Sequence, residues 1–287
     1  MSLRLIAFAA LAFVLLSAAP ASAEPQADRI RIDYVAPTGD EHAALAKRLQ
    51  DSRVLEQLKE FLSAFRLPST VTLRLATCRS ANAWYDEGTI TVCYQYVDTL
   101  IRHAPDAPVA DGVSRADTVV GPTLEAFLHE MAHAVFELLQ IPILGREEDA
   151  ADQLAAYLLL HLSKEEARRA VIGTAAMYLR EARAFTATEL TQFSGPHPVP
   201  AQRYYNLLCL AYGADATLFA DTVAAKLLPQ ERAEQCAGEF KQVTHAFRAL
   251  IAPHLDHARL QQLRERRWLD FEAAQFDGHT TARSKTN

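Results

Sequence analysis

The segment Leu128-His129-Glu130-Met131-Ala132-His133 holds the residues best suited to chemistry in this chain. Two histidines four residues apart lie on one face of a helix, one turn from each other, so both imidazoles can reach a single tetrahedral ion. With a carboxylate as third ligand, zinc is the ion such a set favours. Glu130, beside the first histidine, can take a proton from a water at that ion. Phe127, Leu128, Met131, Ala132, Val135 and Phe136 carry no charge, so the three polar groups interrupt a stretch otherwise suited to a core. Two core histidines satisfied by their neighbours would be the plainer reading of the same residues.

A zinc site of this kind needs a third protein ligand. Phe136 stands where an H-x-x-G-x-x-H continuation would have its glycine, and Leu139 where it would have its third histidine, so that pattern is excluded. Downstream, Glu147-Glu148-Asp149-Ala150-Ala151-Asp152 offers carboxylates at the start of a helix. Glu148 and Asp152 are four apart and share a face. With Glu148 on the ion, Asp152 lies one turn deeper, where it can accept the free ring N–H of His129 or His133. Glu147 has Ala151 at the equivalent spacing and no such support, so Glu148 is preferred and Glu147 is the alternative. An acidic helix start that complements the macrodipole would also cluster these residues. The connection is long enough: the helix rises about 10 Å from His133 to Gln140, and residues 141–146 can span up to roughly 20 Å.

These side chains need elements to hold them. Ile30, Ile32 and Tyr34 alternate with Arg31 and Asp33, which predicts a strand; a helix over residues 42–65 follows, with Leu45, Leu49, Leu55, Leu58, Leu62 and Phe65 apolar. Val71-Thr72-Leu73-Arg74-Leu75 alternates again. Residues 81–96 read as a hairpin that turns at Asp86-Glu87-Gly88 and returns along residues 89–94. After a loop over residues 103–121 the pattern is helical, over 123–140, 147–162, 164–185, 201–210, 229–250 and 255–276, punctuated by Gly145, Gly195-Pro196 and Pro253. Strands first and helices later predict an α+β fold. One domain over residues 24–276 would hold a small N-terminal sheet (28–120) and a mostly helical part (121–276), with a polar tail over 277–287.

Three segments resemble the thermolysin- and neprilysin-like zinc peptidases, the gluzincins, in the same order: Asn82-Ala83-Trp84-Tyr85, the H-E-x-x-H at residues 129–133, and an E-x-x-x-D at 148–152. The resemblance implies a zincin-like fold and one Zn²⁺ held by His129, His133 and Glu148, with Asp152 supporting a ligand. It also implies that Asn82, Ala83, Trp84 and Tyr85 form the edge strand that holds substrate backbone. Together with the EEDAAD stretch, Arg203-Tyr204-Tyr205-Asn206-Leu207-Leu208-Cys209 and the paired cysteines, most of the mature chain is similar to an uncharacterised bacterial family of metallopeptidases. The gap between His133 and Glu148 is shorter than in thermolysin. His197-Pro198, with Arg203 six residues after the histidine, is similar to a segment of the CAAX-prenyl-protease-like zinc peptidases, where the two act beside the metal. Hydrolysis develops negative charge on the carbonyl oxygen, and His197 or Arg203 would steady it; Tyr204 or Tyr205 could supply the same hydrogen bond.

Other histidines offer less. His254 and His257 lack an acidic helix partner comparable to Glu148, and His103, His161 and His245 stand alone. No G-x-S-x-G element or phosphate-binding glycine loop is present.

Half of the 287 residues are hydrophobic and 22% are charged, enough apolar content for a sizeable core. Residues 1–23 carry Arg4, an apolar run over 5–16 and small residues ending in Ala21-Ser22-Ala23, the pattern of a cleavable secretory signal. That run falls short of the roughly 20 residues needed to span a bilayer. Cleavage after Ala23 would give a secreted, periplasmic chain with no membrane span and 28 Lys+Arg against 35 Asp+Glu. An acidic surplus without a basic run argues against nucleic acid and anionic membrane as partners. Cys78, Cys93, Cys209 and Cys236 are an even number in a chain addressed to an oxidising compartment. Of three possible pairings, Cys78–Cys93 and Cys209–Cys236 each close one local segment and are favoured.

The function expected is zinc-dependent hydrolysis of a peptide or protein substrate, with Glu130 as general base. The alternatives are a non-catalytic zinc-stabilised envelope binding protein and an amidase acting on cell-wall peptides. With few residues between the cleavage site and the first strand, no inhibitory pro-segment is expected, and specificity should be narrow.

Overall fold

Two segments with a two-residue period, β1 (Ile30–Tyr34) and β2 (Val71–Ala76), pair in parallel with Ile30 opposite Val71. In β2 the apolar Val71, Leu73 and Leu75 are buried and the residues between them are not. The computed structural model describes residues 29–186, 189–264, 266 and 268. The expected signal segment, the tail from residue 277 and the far end of the helix expected over 255–276 lie outside the described residues.

Between β1 and β2 run α1 (Ala43–Asp51) and α2 (Val54–Leu62), in place of the one helix expected over 42–65. Arg53 adopts a left-handed φ of 53°, which turns the chain and still buries Leu45 and Leu49 on one side of the break and Leu55, Leu58 and Leu62 on the other. β3 (Ala83–Asp86) and β4 (Thr89–Cys93) form a hairpin whose two turn residues, Glu87 and Gly88, both have positive φ. The sheet order is β1-β2-β4-β3, with β4 parallel to β2 and β3 antiparallel at the edge. The returning strand stops at Cys93. Tyr94, expected to end it, instead opens α3 (Tyr94–His103), which buries Tyr94, Val97 and Leu100 along one stripe.

The rest is mostly helical: α4 (Asp117–Leu138), α5 (Glu147–Leu159), α6 (Lys164–Ala184), α7 (Pro200–Ala214), α8 (Ala220–Ala224), α9 (Gln230–Ala246), a π-helical turn at Phe247–Ile251 and α10 (His257–Arg264). The architecture is α+β, a small N-terminal sheet followed by helices. α4 begins six residues before the expected start and continues through Gly121-Pro122. Its first turn is held by Asp117, which accepts from the Ser114 backbone N–H at 2.7 Å, the Ser114 hydroxyl at 2.8 Å and Arg169 Nε at 2.9 Å. α6 crosses α4 closely. A Cβ added at Gly173 would lie 2.1 Å from the Asp117 carbonyl oxygen, and one at Gly121 2.5 Å from that of Ala170.

Two disulfides brace this arrangement. Cys78–Cys93 ties the loop after β2 to the end of β4, and Cys209–Cys236 joins α7 to α9. Among the described residues no helix is long and apolar enough to cross a membrane.

Candidate metal centre

α4 is buried on nearly every side, and His129, Glu130 and His133 lie in its second half. After Leu138 the chain reverses through Gln140 (φ 52°) and Gly145 (φ 114°), and α5 packs back against α4 with Glu147 and Glu148 in its first turn. The reversal brings three atoms together: His129 Nε2 is 3.1 Å from Glu148 Oε2, His133 Nε2 is 3.2 Å from His129 Nε2, and His133 Nε2 is 3.5 Å from Glu148 Oε2.

The other ring nitrogens fix what these atoms are. His129 Nδ1 lies 2.8 Å from Asp152 Oδ1, and His133 Nδ1 lies 2.8 Å from Glu147 Oε1. Each carboxylate accepts the Nδ1 proton, so in neutral rings both Nε2 atoms are bare acceptors. Two nitrogen lone pairs and a carboxylate oxygen then face one another, which is repulsive unless a proton or a metal cation lies among them. The edges fit such a cation: zinc bonds of about 2.0–2.1 Å at tetrahedral angles put ligand atoms roughly 3.3 Å apart. Glu147, the alternative third ligand, is occupied with His133 on the far side of its ring.

The electrostatics have the same sense. Burial of His129 favours its neutral form, yet hydrogen bonds to Asp152 and Glu148 outweigh this and lift the ring to about 10. The hydrogen bond from His129 holds Glu148 below the ordinary carboxylate range against its own burial, with His197 adding to the effect. Burial works to raise Asp152, but His129 and Arg203 hold it below its ordinary value. The pocket is built to hold positive charge.

Arg203, which the sequence offered with His197 as an oxyanion donor, is committed to carboxylates here. Its guanidinium grips Asp152 edge-on, Nε to Oδ2 at 2.8 Å and Nη2 to Oδ1 at 2.5 Å, reaches Glu125 Oε1 at 3.4 Å, and lies 4.5 Å above the Tyr178 ring. The physical reason is Glu125, a carboxylate buried one turn before His129, which also accepts the Tyr178 hydroxyl at 2.8 Å. Buried carboxylates need a buried cation, and Arg203 is that cation. Burial pushes the Glu125 carboxyl up, and Arg203 opposes this. Sequence reasoning missed Glu125; the signal was its four-residue spacing from His129, which puts it on the ligand face. Glu125, His129 and Asp152 also lie close enough to hold an ion, but the guanidinium already supplies the charge there.

His197, in the loop before α7, does reach the site. Its Nε2 is 2.8 Å from Glu148 Oε2, and its ring stacks on His129 at 6.0 Å and 22°. Burial lowers its pKa, favouring the neutral ring, although Glu148 works the other way. Tyr204 and Tyr205 pack on each other, Tyr204 buried and Tyr205 exposed.

Glu130 is buried, and burial pushes its carboxyl up, with His129 and His133 and a hydrogen bond from the Tyr85 backbone N–H acting against that. That bond identifies the nearby element as β3. Since the Asn82 carbonyl accepts from Cys93 N–H and antiparallel pairs alternate, the backbone groups of Ala83 and Tyr85 point away from β4, toward the side where Glu130 lies. Trp84 is exposed on this edge. Among the described residues, neither the His254 and His257 pair nor His103, His161 or His245 joins a cluster able to hold an ion.

No curated protein and no solved structure matches the chain. A family model described as "Putative metallopeptidase" matches residues 34–251, from the end of β1 to the π-helical turn, a span that contains every residue of the centre described above. The match covers well over half of the chain, and the chain belongs to that metallopeptidase family.

Proposed function

We propose that the protein is a zinc peptidase of zincin type that hydrolyses peptide bonds with His129, His133 and Glu148 as metal ligands. The observation that carries this is the convergence of His129 Nε2, His133 Nε2 and Glu148 Oε2 within 3.1 to 3.5 Å, with the far nitrogen of each imidazole held by a carboxylate. Zinc bound there would supply Lewis acidity to the scissile carbonyl and acidify a water. Glu130, with its carboxyl raised by burial, takes the proton of the attacking water and returns it to the departing amine. The outer edge of β3, through Ala83 and Tyr85 and beside Asn82 and Trp84, binds substrate backbone as an added strand. His197 donates to the developing oxyanion. Arg203 positions Asp152, which orients His129, and does not touch substrate. Export to an oxidising compartment is part of the proposal and is supported by the two disulfides.

A peptide-library digest by the zinc-loaded chain tests the reading. Cleavage that stops with a chelator and returns with added zinc is expected. Full zinc occupancy with no cleaved peptide would instead leave a zinc-stabilised binding protein.

A further inference from the structure

α6 and α7 separate two sides of the molecule. One side carries Tyr178 and Arg203 toward the metal centre; the other carries Arg180 and Tyr204 toward a different cavity of about 410 Å³. Its lining is largely aliphatic, with Ile172, Ala175, Ala176 and Leu208 from α6 and α7 joined by the more exposed Val109 and Leu227. Arg180, Arg183 and His103 also line it, and of these Arg183 and His103 are exposed and Arg180 half-buried. In a chain with a net charge of −6 this is a local excess of positive charge.

Three of the polar side chains there are under-used. Among the described residues Arg183 has no carboxylate partner, and Arg180 has only the adjacent Glu181, at 3.7 Å. The Tyr204 hydroxyl has no hydrogen bond among the described residues and lies in the field of Arg183. A mostly apolar concavity of roughly 300–1,000 Å³ with a few convergent polar groups is the general form of a small-molecule site. Guanidiniums three residues apart on one helix face match a planar carboxylate, which each can grip with two parallel bonds. The volume admits one aliphatic chain and is too small for a two-chain lipid.

We propose that this cavity is a second binding site, for a single-chain aliphatic carboxylate of fatty-acid type, its head on Arg180 and Arg183 and its chain among Ile172, Ala175 and Leu208. The site is independent of the metal reading and stands or falls separately from it.

Calorimetric titration of the full mature chain with decanoate, below its aggregation limit, tests the assignment. One saturable site is expected, weakened about tenfold or more in the Arg180→Ala/Arg183→Ala double variant, since each charge-assisted bond contributes strongly. Decanol should bind more weakly than decanoate, and Ala176→Phe, which fills the cavity, should abolish binding of both. Because Arg183 is exposed and Arg180 half-buried, the double variant tests the head contact even if the cavity-filling variant does not fold. Decanoate binding that is absent, or unchanged in the arginine variant, would overturn the proposal. So would binding that develops only after residues 277–287 are removed, which would make the chain's own tail the occupant.

Discussion

At the scale of single residues, the centre depends on what each carboxylate is committed to. Glu130 lies beside β3 and is not among the converging atoms, so on the proposed mechanism Glu130→Gln should keep its metal while peptide hydrolysis falls by about 100-fold or more, read by metal analysis beside an activity assay. Asp152 acts through His129. Asp152→Ala frees both the Nδ1 proton and the Arg203 guanidinium, and should weaken zinc binding by about 10–100-fold in a competition titration. The histidine pair and the Glu148–Asp152 spacing were legible because a helix converts a separation of four into a shared face. Glu125 was missed although its four-residue spacing from His129 puts it on the same face, because its role depends on a partner, Arg203, that only the fold brings across from α7. The same carboxylate explains why Arg203, one of two oxyanion donors the sequence offered beside His197, faces inward. That Glu147 backs His133 was hidden too, because neighbouring acids at a helix start look alike until the direction of approach is known.

Among the elements, β3 gives the sharpest test. The Ala83 N–H points away from β4, so Ala83→Pro leaves the sheet ladder intact and removes one donor from the outer edge. The expected result is a raised KM for peptide with a thermal midpoint close to that of the parent; an unchanged KM would remove this strand from substrate binding. The strands and the hairpin could be read from alternation and from Glu87-Gly88 at the turn. Three features could not. Arg53 breaks the first helix through a left-handed conformation that a non-glycine residue does not advertise. α3 follows β4 without a linking residue, and its opening Tyr94 continues the β-favouring run of residues 89–93, so the change of period was masked. The early start of α4 was obscured by Pro122, whose cost within a helix is offset by the anchoring of Asp117.

For the whole molecule, metal, proton and fold are linked. His129 has a folded pKa raised from 6.5 to about 10 in the metal-free protein. Its charged form therefore stabilises that state fully below the unfolded value, and this contribution is lost as pH rises through about 10. An entering ion must displace the same proton, so apparent zinc affinity should climb by about tenfold per pH unit above neutrality and level off near the folded pKa. Titrations in buffers of differing ionisation heat would read the released proton directly; a pH-independent affinity would contradict the linkage. The most direct measurement of the central claim is the metal content of the purified chain beside that of Glu148→Ala. One zinc per wild-type chain and little in the variant is the predicted result. Stoichiometric zinc retained by Glu148→Ala, or none bound by the wild type after loading, would contradict it.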